Sequence, residues 1–190
     1  MPISLDRMIQ DFADGLVAVD SARRVHKEFQ PGIGPWGEAN AIKAALEEMQ
    51  RRHAALYSEA RVKRTPDLLI PGEWALEFKI LRPYGDNDKL AEHWSENVLH
   101  PYEGNTSALG DCSKLLKHEF AERRGIIIFG YEHTPVRTSL EPAVRGFELL
   151  AREVMRVQLG PRTKVVRTGL VHPVHQQLAV FGYEVLGFIA

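Results

Sequence analysis

The sequence predicts an α/β domain, a central mixed sheet of about five strands with helices on both sides. Two observations predict it. The first is the stretch T-P-D-L-L-I-P-G-E-W-A-L-E-F-K-I, residues 65–80, which reads as a β-hairpin with strands over 68–70 and 74–80 and a turn at Pro71-Gly72-Glu73. The second is the strand, helix, strand order over residues 74–130. An amphipathic run after Ser107 leads into the continuous apolar stretch 126–130, the pattern of a strand buried on both faces and paired in parallel through a right-handed crossover.

The other elements follow in order. Leu5, Met8, Ile9, Phe12, Leu16 and Val19 recur at helical spacing and predict a helix over 3–19. Residues 21–29 extend it or form a second short helix. The three glycines and two prolines of residues 30–37 mark a loop. A helix over about 36–59 carries Ile42, Ala45, Leu46, Met49 and Leu56 on one stripe, and Glu38 shares that stripe, four before Ile42. Residues 82–106 are polar. Their Gly85-Asp86-Asn87-Asp88 lacks the glycine placement of an EF-hand, and His93, Trp94, His100 and Tyr102 suit either a substrate-contacting lid or satellite packing. Ser107 is the expected N-cap of a helix running to Arg123, with Gly125 as its stop. A helix over 142–158, with Val144, Phe147, Leu150, Val154 and Val157, and strands over 164–171 and 178–186 complete the chain.

The 190 residues, 44% hydrophobic and 26% charged, suit one globular domain over 1–190, with an N-terminal helix in 1–30 appended to the core. No apolar run of about 18 residues occurs, and the opening M-P-I-S-L-D-R lacks the layout of a signal peptide, so a cytoplasmic protein without membrane contact is expected. The single cysteine, Cys112, excludes an internal disulfide and a Cys-rich zinc module; on an apolar helical stripe it is expected to be a buried thiol. His172 and His175 have a spacing compatible with a metal site, but zinc is not expected there without a third nitrogen or sulfur ligand.

The chemistry concentrates on the hairpin. With the turn centred on Gly72, Trp74, Leu76, Phe78 and Ile80 share an apolar face with Leu68 and Ile70. The opposite face then carries Asp67, Glu77 and Lys79, with Asp67 directly opposite Glu77 at a Cβ separation of about 5 Å. Two opposed carboxylates repel and call for positive charge. Lys79 supplies some, and two carboxylates with a nearby backbone carbonyl are hard oxygen ligands suited to magnesium or manganese. A solvated face bearing simple ion pairs is the other reading.

Pro66-Asp67, a short hairpin and then Glu77-Phe78-Lys79 resemble the PD-(D/E)xK signature of the restriction-endonuclease-like nucleases. The resemblance spans residues 34–132 and rests on the motif's setting, a hairpin preceded by a helix and followed by a helix and a strand. It implies a restriction-endonuclease-like core and a Mg2+-dependent nuclease, with Mn2+ as a substitute. It further implies that Asp67, Glu77 and the Phe78 backbone carbonyl hold the metal, that Lys79 orients water and offsets phosphate charge, and that Glu38, matching the acid of the family's first core helix, completes the metal shell. The expected partner is nucleic acid, DNA foremost. With a formal net charge of −1 any such surface must be local, and Arg61, Lys63, Arg64 and Lys114 are the candidate contacts. Cutting both strands of a duplex suits a two-fold dimer, with residues 82–106 and the apolar 183–190 as candidate contacts. Two rivals stand beside this reading: a catalytically idle nucleic-acid-binding or regulatory protein of the same fold, and a metal-dependent hydrolase of a small phosphorylated molecule.

Overall fold

The computed structural model describes residues 2–25, 30–101 and 107–189. Parts of the expected 21–29 helix and of the 82–106 stretch, including Tyr102, lie outside them, as does Ala190.

Helix α1 (Leu5–Ser21) starts at Ser4, whose hydroxyl accepts the Arg7 N–H. The helix expected over 36–59 is two: α2 (Glu38–Arg52) and the short α3 (Ala54–Tyr57), separated at His53 by a non-helical backbone. The break lets Tyr57 turn inward, where its hydroxyl donates to the buried Asp11 at 2.8 Å. The hairpin forms β2 (Leu68–Ile70) and β3 (Trp74–Leu81), with Leu68 opposite Leu76, Ile70 opposite Trp74, and Gly72 taking the left-handed conformation that closes the turn. A short β1 (Arg61–Val62) pairs with β2 at the sheet edge.

After the hairpin come α4 (Glu96–Leu99), α5 (Ala108–Lys117) and β4 (Arg123–Glu132). Ser107 caps α5 as expected, its hydroxyl accepting from Gly110. The helix ends at Lys117, not Arg123, and Gly125 belongs to the strand. The reason is tertiary: β4 pairs in parallel with β3 from Arg123 onward, and the Arg123 guanidinium stacks 4.0 Å over the Trp74 ring. At Gly125 a Cβ would come within 2.8 Å of Leu76 Cδ2, so a larger residue there would displace the end of that side chain. Likewise α6 (Glu141–Glu153) stops short of 158. Val154 is 55% exposed, and Val157 joins β5 (Val157–Leu159), an additional strand paired with the chain's end. β6 (Thr163–Thr168) and β7 (Gln177–Phe188) complete the sheet.

Among the described residues the sheet is mixed and seven-stranded, in the order β1-β2-β3-β4-β7-β5, with β6 also paired to β7. The expected five strands omitted β1 and β5, which are two and three residues long. Helices cover both faces. α1 and α2 pack on Leu68, Ile70, Trp74, Leu76, Phe78 and Ile80, with Phe12, Phe78 and Phe129 in mutual ring contact. α5 and α6 pack on Ala75, Leu81, Ile126, Ile128, Phe181 and Tyr183, and Cys112 is a buried free thiol of this second core. Val98 of α4 is buried there too, so part of the 82–106 stretch is packing. At the chain's end Leu186 and Phe188 stand 49% and 54% exposed. Among the described residues no helix is long and apolar enough to cross a membrane.

Candidate active site

β2 is shorter than β3, and this inequality builds the site. Past Ile70's partner Trp74 and Leu68's partner Leu76, β3 continues for five residues with no strand on that side, so the N–H groups of Phe78 and Ile80 need other acceptors. Two carboxylates supply them. Asp67 Oδ2 accepts the Phe78 N–H at 2.8 Å, and Glu38 Oε2, from the first turn of α2, accepts the Ile80 N–H at 2.7 Å. The Phe78 carbonyl on the same edge accepts Lys79 Nζ at 3.0 Å. Strand β3 thus draws Asp67, Glu38 and Lys79 to one edge, with Phe78 itself fully buried on the other face.

Glu77 and Lys79 point toward α5. Their face of β3 is not solvated: it floors the second core, Glu77 is only 1% exposed, and Ala75 and Leu81 flank the pair in apolar packing. Helix α5 supplies the polar partners. Asp111 Oδ2 stands 2.6 Å from Lys79 Nζ, and Lys114 Nζ stands 2.8 Å from Glu77 Oε1 and 3.1 Å from Asp111 Oδ1. Glu38 Oε1 lies 3.7 Å from Lys79 Nζ. The sequence places Lys114 among the candidate nucleic-acid contacts and gives no signal for Asp111. One turn of α5 separates them, so they face the same way; that the face meets β3 depends on how the crossover helix lies.

Four carboxyl groups, Glu38, Asp67, Glu77 and Asp111, here share two ammonium groups, Lys79 and Lys114. The imbalance shows in the titration. Burial, then the charge of Asp67, pushes the Glu77 carboxyl up to about 8, with Lys114 opposing. Burial also raises Glu38 above the ordinary range against the pull of Lys79. For Lys79, burial works against the ammonium, but Glu38 and Asp111 outweigh it and hold its pKa above the usual value. Oxygen donors in surplus negative charge fit a hard divalent cation such as magnesium. The acids do not stand in a closed ligand shell: among the described residues, three candidate ligand atoms come within 4.8 Å of one another only at Asp86, His172 and His175.

A pH dependence follows. The folded protein keeps a proton on Glu77 that the unfolded chain, with its carboxyl at the ordinary 4.5, has already lost. Its contribution to stability is therefore complete below the unfolded value and is lost as pH rises toward about 8. Glu77→Gln is neutral throughout. In chelator its melting temperature should match the wild type's at about pH 5 and exceed it at about pH 9. A constant offset between the two would show that Glu77 keeps its charge in the fold.

Arg61, Lys63 and Arg64 are exposed, on and just after the edge strand β1, and Lys63 N–H donates to the Asp67 carbonyl at 3.2 Å. The basic run therefore ends beside the acids, from a strand and not from a helix end. His53, the C-cap of α2, has its Nε2 3.4 Å from Asp11 Oδ1. Comparison with protein-family models, curated proteins and solved structures finds no match to this chain.

Proposed function

We propose that the protein is a metal-dependent phosphodiester hydrolase. Within that class the reading that best fits its residues is a PD-(D/E)xK-type nuclease with a restriction-endonuclease-like core, acting on DNA. The observation that carries it is the excess of carboxylates over ammonium groups at the unpaired edge of β3, around the motif residues Asp67, Glu77 and Lys79. Asp67, Glu77 and the Phe78 carbonyl would hold a magnesium ion, with Glu38 beside them. When bound, the ion supplies Lewis acidity to a phosphoryl oxygen and lowers the pKa of a water.

The chain's own residues do the rest. Lys79, fixed between Asp111 and the Phe78 carbonyl, places a permanent positive charge where the attacked phosphate gathers negative charge. Asp111 is a positioning residue, since it reaches the site only through the two lysines. Lys114 Nζ holds the Glu77 carboxyl at 2.8 Å while no cation is present. The exposed Arg61, Lys63 and Arg64 are placed to contact the phosphates flanking the scissile bond.

The test is cleavage of mixed single- and double-stranded substrates with magnesium, manganese or chelator. Cleavage with either metal that chelator stops is the expected result. The pairing of Glu77 with Lys114 and of Lys79 with Asp111 also suits an idle site, whose charges are met within the chain. Binding of nucleic acid without cleavage in any metal would select that alternative. For double-strand cutting a two-fold dimer is proposed, with the exposed Leu186 and Phe188 in the contact. Light scattering should give twice the 21.5 kDa chain mass; a monomer with and without DNA removes the dimer.

A further inference from the structure

We propose that the cleft between α6 and the β5 end of the sheet binds a phosphate monoester carrying an apolar or aromatic body, at a site separate from the β3 acids. The cleft is a cavity of about 490 Å³, a size in the range of small-ligand sites. Helix α6 lines it with Arg145, Leu149 and Arg152, which the helical period sets one above another on a single face. Strand β5 contributes Val157 and Leu159, the turn after it Arg162, and β7 with the residue just past it Tyr183 and Ile189.

The charges of the lining do not cancel. Three guanidinium groups, of Arg145, Arg152 and Arg162, face a single lining carboxylate, Glu148. Helical spacing would let Glu148 pair with Arg145 three before it and with Arg152 four after it. Instead its Oε1 accepts the Tyr183 hydroxyl at 2.8 Å and stands 3.5 Å from Arg162 Nε. Burial, then the bond to Glu148, raises the Tyr183 hydroxyl above its ordinary range, so it stays a donor and keeps the carboxylate turned away. Among the described residues Arg145 therefore has no ion-pair partner, and Arg152 has only its exposed neighbour Glu153 at 2.6 Å, a surface pair worth little. Glu141, 2.9 Å from Arg162, is shared with Lys164.

That surplus selects an anion, and the aliphatic lining selects what the anion carries. A phosphate monoester holds roughly 1.5 to 2 negative charges at neutral pH on three acceptor oxygens, enough to engage more than one guanidinium fork. Leu149 is 57% exposed and shares the cleft with Val157, Leu159 and Ile189, so an apolar body entering there covers a leucine that otherwise faces water. The competing occupant is an acidic peptide strand, because β5 is the last strand of the sheet. β5 is only three residues long, however, and its register shifts between Gln158 and Leu159, an edge too short and too bent for strand addition.

The cleft and the β3 acids are apart. β5 closes the sheet three places from β3 in the strand order, roughly 14 Å at ordinary strand spacing. Tyr183 stands on one rung with Ile126 and Glu77, so both sites belong to the face that α5 and α6 cover. No lining residue of the cleft is among the residues assigned to metal, water or nucleic acid.

1-Naphthyl phosphate, titrated calorimetrically into the full chain in chelator, provides the test. One molecule per chain should bind, and inorganic phosphate and 1-naphthol should each bind at least about tenfold more weakly, since each offers half of what the cleft recognises. Arg145→Ala and Leu149→Gln alter exposed side chains, so their circular dichroism should stay unchanged while affinity for the ester falls at least about tenfold in the first and toward that of inorganic phosphate in the second. Asp67→Asn should bind the ester as the wild type does. No binding by the wild type, undiminished affinity in folded Arg145→Ala, or loss of binding in Asp67→Asn each overturns the site, the last by placing the ester at the β3 acids. Equal affinity for 1-naphthoate would make the ligand a carboxylate, and tighter binding of an acidic heptapeptide would put a strand at the β5 edge; either result overturns the phosphate monoester.

Discussion

Replacing Asp67 by Asn should abolish cleavage and weaken magnesium binding by more than about a hundredfold. The substitution is nearly isosteric, and the amide oxygen can still accept the Phe78 N–H that Asp67 Oδ2 accepts at 2.8 Å, so the edge of β3 keeps its cap and the hairpin its register. What is lost is one negative charge beside Glu77. In the metal-free protein that loss relieves Glu77, whose carboxyl Asp67 helps to push up, so the variant should melt no lower than wild type at neutral pH. Calorimetric titration with magnesium, a melting curve in chelator and a cleavage assay on the same sample check the three parts. Full cleavage by folded Asp67→Asn would mean that the hairpin is scaffold.

Lys79→Ala should separate what Asp67→Asn removes together. Cleavage should fall on the order of a hundredfold or more, because the charge that meets the developing phosphate charge is gone. Metal binding should persist or tighten. The variant withdraws an ammonium group that stands 2.6 Å from Asp111 and 3.7 Å from Glu38, and it frees the Phe78 carbonyl, which Lys79 otherwise occupies at 3.0 Å. Asp111 is not stranded, since Lys114 remains 3.1 Å from its other oxygen. DNA binding in calcium, which occupies magnesium sites but supports cleavage poorly, should survive better than cleavage does. Equal loss of metal binding and cleavage would assign Lys79 to holding the acids together, a structural role; unchanged cleavage would remove it from the chemistry.

Much of the site was legible because its geometry is local. A two-residue alternation and a glycine at the turn determine which side chains of a hairpin share a face, so the pairing of Leu68 with Leu76, and with it the placing of Asp67 near Glu77, follows from residues within about a dozen positions. Glu38 was legible for a similar reason: helical spacing put it on the inward stripe of α2. Element ends were less so. The run Val154 to Val157 continues the helical period of α6, yet pairing with Phe188 draws Val157 into β5; Arg123 leaves the amphipathic pattern of α5 for the ladder beside Trp74. In both cases a backbone partner distant in sequence outweighs a weak local preference.

The tertiary structure alone decided which charges meet. Nothing in the spacing of Asp111 and Lys114 names Lys79 and Glu77 as their partners, because the crossover helix can be rotated about its axis without altering its own pattern; burial of Leu109, Cys112 and Leu115 against β3 and β4 sets that rotation. Asp86 is the sharper example. The sequence shows His172 and His175 as a pair lacking a third ligand, and the carboxylate that joins them sits some 86 residues earlier in a loop with no periodicity to read. Local periodicity determined the faces of the hairpin and helices. Contacts across the sheet, set by how whole faces pack, determined where Lys79 and Lys114 point and brought Asp86 to the two histidines.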